Sequence, residues 1–98
     1  PIQVIVLPIS DKFKNYANQI KDILMSNSIR VEVDERNETL QAKIRDATIQ
    51  KIPYILIVGE KEKASQKIAV RISEGKDLGQ MTLKEFTDKI HKDIDNKI

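Results

Sequence analysis

Cysteine is missing from this 98-residue chain, and with it go disulfide staples, zinc-finger sites and thiol nucleophiles. Tryptophan is missing too, and two tyrosines and two phenylalanines are the only aromatics, so the core has to be built mainly from Ile, Val and Leu. The three glycines, Gly59, Gly75 and Gly79, are too scattered for a dinucleotide fingerprint or a P-loop. His91 is the single histidine; it stands between charged residues and reads as a solvated side chain. A Ser-His-Asp arrangement would have to use it, far along the chain from any strand-end serine. No apolar run approaches the ~20 residues that span a bilayer. Nothing at the start has the layout of a signal peptide, since Pro1 opens directly onto an apolar strand. A first residue that is proline and not methionine points to a fragment or a processed product.

Charge of one sign is lacking as well. Seventeen Lys and Arg are set against fifteen Asp and Glu, for a net charge of +2. A protein that grips nucleic acid through its phosphates carries a stronger basic bias, so RNA binding here would need a local site. The carboxylates read as helix-surface charges, and none follow a calcium-loop pattern. A metal site and a catalytic constellation are therefore not expected in this chain. What is present is a hydrophobic fraction of 40% over a length that fits one domain, spanning residues 1–98.

The pattern along the chain is α/β. Residues 2–8 are a β-branched run, apolar on both faces as in a central strand, and Pro8 closes it. Ser10 or Asp11 can cap a helix whose stripe is Phe13, Tyr16, Ala17, Ile20, Ile23 and Leu24, with a stop at Asn27-Ser28. Residues 29–33 alternate, as at a sheet edge. Asn37 can cap a second helix carrying Leu40, Ile44 and Ala47, which must end near Lys51-Ile52 because Pro53 disfavours helical geometry before it. Tyr54 to Val58 is a second fully apolar strand. Residues 60–66 read as a polar loop leading to an alternating strand, 67–72, that pairs antiparallel with it. Residues 73–81 read as a loop with a short edge strand near Leu78. Thr82 and Glu85 then form a capping box, and Met81 and Phe86 a hydrophobic staple, for a last helix with Leu83, Phe86, Ile90 and Ile94 on its buried stripe. The first three strands alternate with helices and should be parallel neighbours with right-handed crossovers. The outcome is one domain with a mixed sheet and helices packed on it.

Several stretches, in order and over essentially the whole chain, resemble the C-terminal anticodon-binding domain of threonyl-tRNA synthetases, a module of class IIa synthetases. They are Gln3-Val4 with Pro8-Ile9, Arg30-Val31-Glu32-Val33-Asp34 with Arg36-Asn37-Glu38, Lys43-Ile44-Arg45-Asp46-Ala47, Lys51-Ile52-Pro53-Tyr54, Val58-Gly59-Glu60-Lys61-Glu62, Ile68-Ala69-Val70-Arg71, and Gly75-Lys76-Asp77-Leu78-Gly79. The proline, histidine and glycine enzymes share the module; the Lys-Ile-Pro-Tyr and Gly-Glu-Lys-Glu stretches are most similar to the threonine branch. The resemblance implies a mixed five-stranded sheet with three helices, a cytoplasmic location, and recognition of the anticodon of threonine tRNA, chiefly its guanine and uracil at the second and third positions. It implies no cofactor in this segment; the ATP and zinc of the full enzyme belong to a separate catalytic domain, which also makes the dimer, leaving this piece monomeric and non-catalytic.

The same resemblance implies that Asn37, Arg45, Lys51, Glu62 and Arg71 line the anticodon site. Arg71 can present a bidentate fork to a guanine edge, and Glu62 can accept from a base imino or amino group. Arg45 and Lys51 can meet the backbone or bases. Departures from the family pattern are Ser28 in place of a frequent glycine, Gln41-Ala42 in place of a stretch often containing one, the Lys63-Ala64-Ser65-Gln66 segment, and Lys51 where some members carry arginine. Taken alone, these site residues have plainer readings: Asn37 a helix cap, Arg45 a solvated charge, Lys51 a favourable charge at a helix C-terminus, Glu62 a loop carboxylate, Arg71 an outward strand residue. The RNA-binding reading requires the five to converge on one face near the ends of the third and fourth strands. A small α/β ligand-binding domain would instead need a concave pocket with convergent polar groups, and an interaction domain would self-associate.

Overall fold

The structure, a computed structural model, describes residues 2–72 and 75–95, the last two as helical backbone. In chain order the elements are β1 (Val4–Pro8), a single 3-10 turn (Asp11–Phe13), α1 (Lys14–Ser26), β2 (Val31–Val33), α2 (Leu40–Ile49), β3 (Tyr54–Val58), α3 (Glu60–Ser65), β4 (Lys67–Ile72), β5 (Asp77–Thr82) and α4 (Leu83–Asp95). One sheet runs in the order β2-β1-β3-β4-β5. β1 is parallel to both β2 and β3, and the β3–β4 and β4–β5 pairs are antiparallel. This is the mixed five-stranded α/β domain that the sequence pattern predicts.

β1 is apolar on both faces because it lies between β2 and β3 with helices above and below. Val4 and Val6 point into a cluster with Tyr16, Ala17, Ile20 and Leu24 of α1, Leu56 and Val58 of β3, Ile68 and Val70 of β4, and Phe86 and Ile90 of α4. Ile5 and Leu7 point the other way, into a smaller cluster with Ala47 and Ile52 at α2 and Ile55 of β3. Each fully buried Ile, Leu, Val or Phe contributes roughly 1.5–3 kcal/mol, which is how a chain so poor in aromatics fills two cores. Tyr54 and Phe86 meet edge-to-face with centroids 5.5 Å apart, tying α4 to β3.

The helix ends are built by local hydrogen bonds. Beyond α1, Ser28 N–H donates to the Met25 carbonyl and Ile29 N–H to the Leu24 carbonyl. Beyond α2, Lys51 N–H donates to Thr48 and Ile52 N–H to Ala47. Both are Schellman closures, each with its hydrophobic partner: Ile29 with Leu24 in the larger core, Ile52 with Ala47 in the smaller. They place Ser28 at φ 65° and Lys51 at φ 59°, the left-handed region where glycine fits without a Cβ clash. At α4 the capping box is formed in full, Glu85 N–H donating to Thr82 Oγ1 at 3.1 Å and Thr82 N–H to Glu85 Oε1 at 2.9 Å. The Thr82 backbone N–H, and then the Thr82 hydroxyl, hold the Glu85 carboxyl below its usual range.

Several expectations are corrected. Among the described residues there are four α-helices and not three, because Glu60–Ser65, within the segment 60–66 expected as a loop, form α3. Glu62 makes this possible: its Oε1 accepts from Gly59 N–H at 2.8 Å, satisfying an otherwise orphan donor of the first turn, and Gln66 ends the helix at φ 57°. The β3–β4 pair is antiparallel as expected, but a helix joins it. The cap of α2 is Thr39, whose Oγ1 accepts from Ala42 N–H at 3.1 Å; Asn37 lies two residues too early to reach the first turn. Neither Ser10 nor Asp11 caps α1: the 3-10 turn intervenes, and Asp11 pairs with Lys14 at 3.2 Å. β2 is shorter than residues 29–33, since Ile29 is used in closing α1. β5 is longer than a stub near Leu78, running into Thr82, with an irregularity opposite Val70/Arg71 and Gly79 at φ 79°. His91 is half-buried, with Nε2 3.0 Å from the Asn27 carbonyl, and so is not a freely solvated side chain. Residues 73 and 74 of the expected loop, and the Ile94 side chain of the expected stripe, lie outside the described residues.

Candidate nucleic-acid interface

Cross-strand register decides which residues share the face opposite α1 and α4. Ile55 stands opposite Arg71, Ile57 opposite Ala69, and Ala69 opposite Gln80. Directly opposed residues point to the same side of a sheet. Ile55 belongs to the core under α2, so Ala69, Arg71 and Gln80 lie on the α2 side. α2 packs over β1, and beyond it the surface of β4 and β5 opens: Ala69 and Arg71 are part-exposed and Gln80 is exposed.

Glu62 reaches this open surface from α3. Its Oε1 caps its own helix, and its Oε2 accepts from Gln80 Nε2 at 2.6 Å. Arg71 lies two residues beyond Ala69 on β4, about 7 Å along the strand from the residue that pairs with Gln80. A fixed carboxylate and a guanidinium thus stand on one face of the same strand pair, separated by the small Ala69. The backbone beneath is braced from the other side, where Tyr16 Oη donates to the Lys67 carbonyl at 2.8 Å, with the Glu62 carbonyl 3.3 Å away. Burial, and then the Glu62 charge, push the Tyr16 phenol up.

The other three candidate residues are placed differently. Arg45 is exposed on α2. Lys43 and Asp46 of that helix are bound to Asp34 and Arg36 on the β2 side, so the ~100° step between helical residues turns Arg45 toward the outer shoulder on the β3 and β4 side. Lys51 is exposed at the closed end of α2, just before β3, at the same sheet margin as Arg71. Asn37 is not with them. It lies at the opposite end of α2, in a cleft of about 450 Å³ at the carboxyl ends of β1 and β2. Glu62, Arg71 and the α2 shoulder with Arg45 border one open surface, Lys51 marks one end of it, and Asn37 lies at the other end of α2, in a cleft whose Ile9 packs on Gly59 at the start of α3.

That cleft includes Ser10, Lys12, Lys14, Arg36 and Lys43, but most of its cations are committed. Arg36 binds Asp34 through Nε and Nη2, at 3.0 and 2.9 Å, and Asp46 at 2.9 Å. The buried Lys43 ammonium donates to the Asp34 carbonyl at 3.0 Å. The Arg36 hydrogen bond holds the Asp34 carboxyl below its usual range, and Asp34 and Asp46 in turn push the Arg36 pKa up. This network fixes the loop that carries Asn37. A buried lysine next to a strand end leaves no mark in a hydrophobic pattern, which is why sequence reasoning misses it. Gln80 is missed for another reason: with Gly79 beside it, its segment reads as loop and not as strand. Among the described residues, no group of three or more His, Asp or Glu gathers as metal ligands would, and no helix is long and apolar enough to cross a membrane.

The sequence profile of the anticodon-binding domain matches residues 3–93. The chain belongs to the anticodon-binding domain family. Along its whole length it is 48% identical to a threonine–tRNA ligase of Clostridium tetani. Over 97 residues it is 47% identical to that of Clostridioides difficile. It spans about 15% of the length of each of these relatives. The RNA-binding domain of threonyl-tRNA synthetase from Cryptosporidium parvum superposes with a TM-score of 0.87 at 29% identity, over 94% of this chain and 23% of that one. Histidyl-tRNA synthetase from Nostoc superposes equally well, at 0.87, over 96% of this chain and 23% of that one, but at 21% identity it shares the fold alone. As an anticodon-binding domain, the chain has tRNA as its partner class.

Proposed function

We propose that this anticodon-binding domain is the module of a threonine–tRNA ligase that reads the anticodon of threonine tRNA. The observation that carries the reading is the 48% identity to a threonine–tRNA ligase along the entire chain. The open surface of β4 and β5 supports it chemically. A guanine in the middle of the anticodon offers N1–H and N2–H2 donors to Glu62 and O6 and N7 acceptors to Arg71, and single-stranded loop bases are splayed enough to present such edges. Arg45 and Lys51, at the border of that surface, would meet phosphates or neighbouring bases, and Asn37 a more distant part of the loop. The near-neutral charge balance suits a reader of base edges better than a bulk phosphate binder.

The catalytic work, with its ATP and zinc, would reside in the rest of such a ligase, and this domain would carry no cofactor of its own. It would act in the cytoplasm, as a monomer in isolation and within a homodimer in the complete enzyme.

The deciding experiment is fluorescence anisotropy of the domain with the threonine anticodon stem-loop, and with the same loop carrying adenine for the middle guanine, at two salt concentrations. Tighter binding of the guanine loop at both salts supports the reading. Equal binding of both loops, falling steeply with salt, reduces it to nonspecific charge contact.

A further inference from the structure

Glu62 is held at both ends of its carboxylate. Oε1 is bound by Gly59 N–H at 2.8 Å and Oε2 by the Gln80 amide at 2.6 Å. A carboxylate only accepts, so the amide must turn its nitrogen toward it. Each carboxylate oxygen has two lone-pair positions, and one partner apiece leaves the others open to a guest. The cap alone would fix one oxygen and leave the plane of the carboxylate free to turn about it. The second bond removes that rotation before any ligand arrives.

The partner that supplies this bond is otherwise lightly used. Gln80 is exposed on the edge strand β5, directly opposite Ala69 and on the face that carries Arg71. Ala69 is the smallest side chain of that row, so its methyl leaves the Gln80–Glu62 pair standing beside an unfilled stretch of surface. A carboxylate of set orientation there distinguishes purines sharply. Guanine meets it with N1–H and N2–H2, whereas adenine turns the lone pair of N1 toward it. A mobile carboxylate could swing away from adenine and lose much of that contrast.

We infer that Gln80 is a positioning residue that sets the Glu62 carboxylate for reading guanine, and so determines specificity without itself needing to touch the base. The inference rests on the anticodon reading above.

The test measures Kd for the guanine and adenine stem-loops with the unchanged chain, Gln80→Ala, Gln80→Glu, Glu62→Gln and the Gln80→Ala/Glu62→Gln double variant. Gln80→Glu keeps size and shape while replacing the donor with a second carboxylate, and thermal melts establish that each variant is folded. Gln80→Ala is expected to narrow the guanine-to-adenine ratio on the order of tenfold, with the adenine Kd within about twofold of the starting value. Gln80→Glu is expected to narrow the ratio at least as far. In the Glu62→Gln background, Gln80→Ala should change the ratio no further, because its effect passes through Glu62. An unchanged ratio in folded Gln80→Ala, or equal losses in both backgrounds, overturns the positioning role while leaving anticodon reading intact. No guanine preference in the unchanged chain removes the anticodon reading itself, and this inference with it.

Discussion

Ser28 and Lys51 occupy the same place on two different helices: each is the left-handed residue that closes a Schellman motif, at φ 65° and 59°. A residue with a Cβ costs roughly 1 kcal/mol there relative to glycine. Ser28→Gly should therefore stabilise the domain by about that amount and leave RNA binding alone, since Ser28 lies at the end of α1, on the other face of the sheet. Lys51→Gly should give a similar rise in Tm but weaken RNA binding to all sequences, lowering the magnitude of the log Kd versus log salt slope by about 0.7. A binding loss confined to the cognate loop would instead make Lys51 a base reader.

Arg71→Ala should cost on the order of 1–3 kcal/mol of preference for guanine at the middle anticodon position. Its strand neighbours Val70 and Ile72 point to the opposite face, so the fold should survive, and a thermal melt checks that. Equal losses on guanine and adenine loops would rule out base reading by Arg71.

The two tyrosines report separately on alkaline stability. Burial pushes the Tyr54 phenol up, helped by its hydrogen bond to Asp93, and burial does the same for Tyr16. A group whose folded pKa lies above its unfolded value stabilises fully below the unfolded value, near 10, and that stability is lost as pH rises toward the folded one. Absorbance of phenolate should therefore appear late and together with unfolding. Tyr54→Phe should lower stability by about 1 kcal/mol at neutral pH and flatten the alkaline decline. Phenolate titrating near pH 10 in the folded protein would contradict this.

At the acid end Asp34 has the opposite sign. Its carboxyl is held low by Arg36, so its contribution is present above the unfolded value, near 3.9, and is lost as pH falls through the depressed folded value. Asp34→Asn should lower Tm at neutral pH and make the acid limb shallower. Identical acid limbs for both proteins would exclude the Asp34–Arg36 pair as a stabilising element.

The elements with strong periodicity were legible. β1 and β3 announce themselves by apolar runs, and α4 by Thr82 and Glu85. What was illegible depended on long-range partners. α3 is six residues long, too short to show a stripe, and its start depends on the Glu62 side chain returning to Gly59. Lys43 looks like any helix-surface lysine until Asp34 is brought over it by the β2–α2 turn. Of the candidate site, the resemblance supplied Glu62 and Arg71, but not Gln80, because only the β4–β5 register reveals that they face the same way.

The sheet margins have a consequence for handling the domain at high concentration. At one margin β2 offers only three residues of free ladder before the chain turns away at Asp34. At the other, β5 is broken by the irregularity opposite Val70/Arg71 and by Gly79. A second molecule seeking to extend the sheet would find neither a long nor a straight template. The twisted outer strand beside the open face therefore also guards the molecule against joining its own copies into fibres.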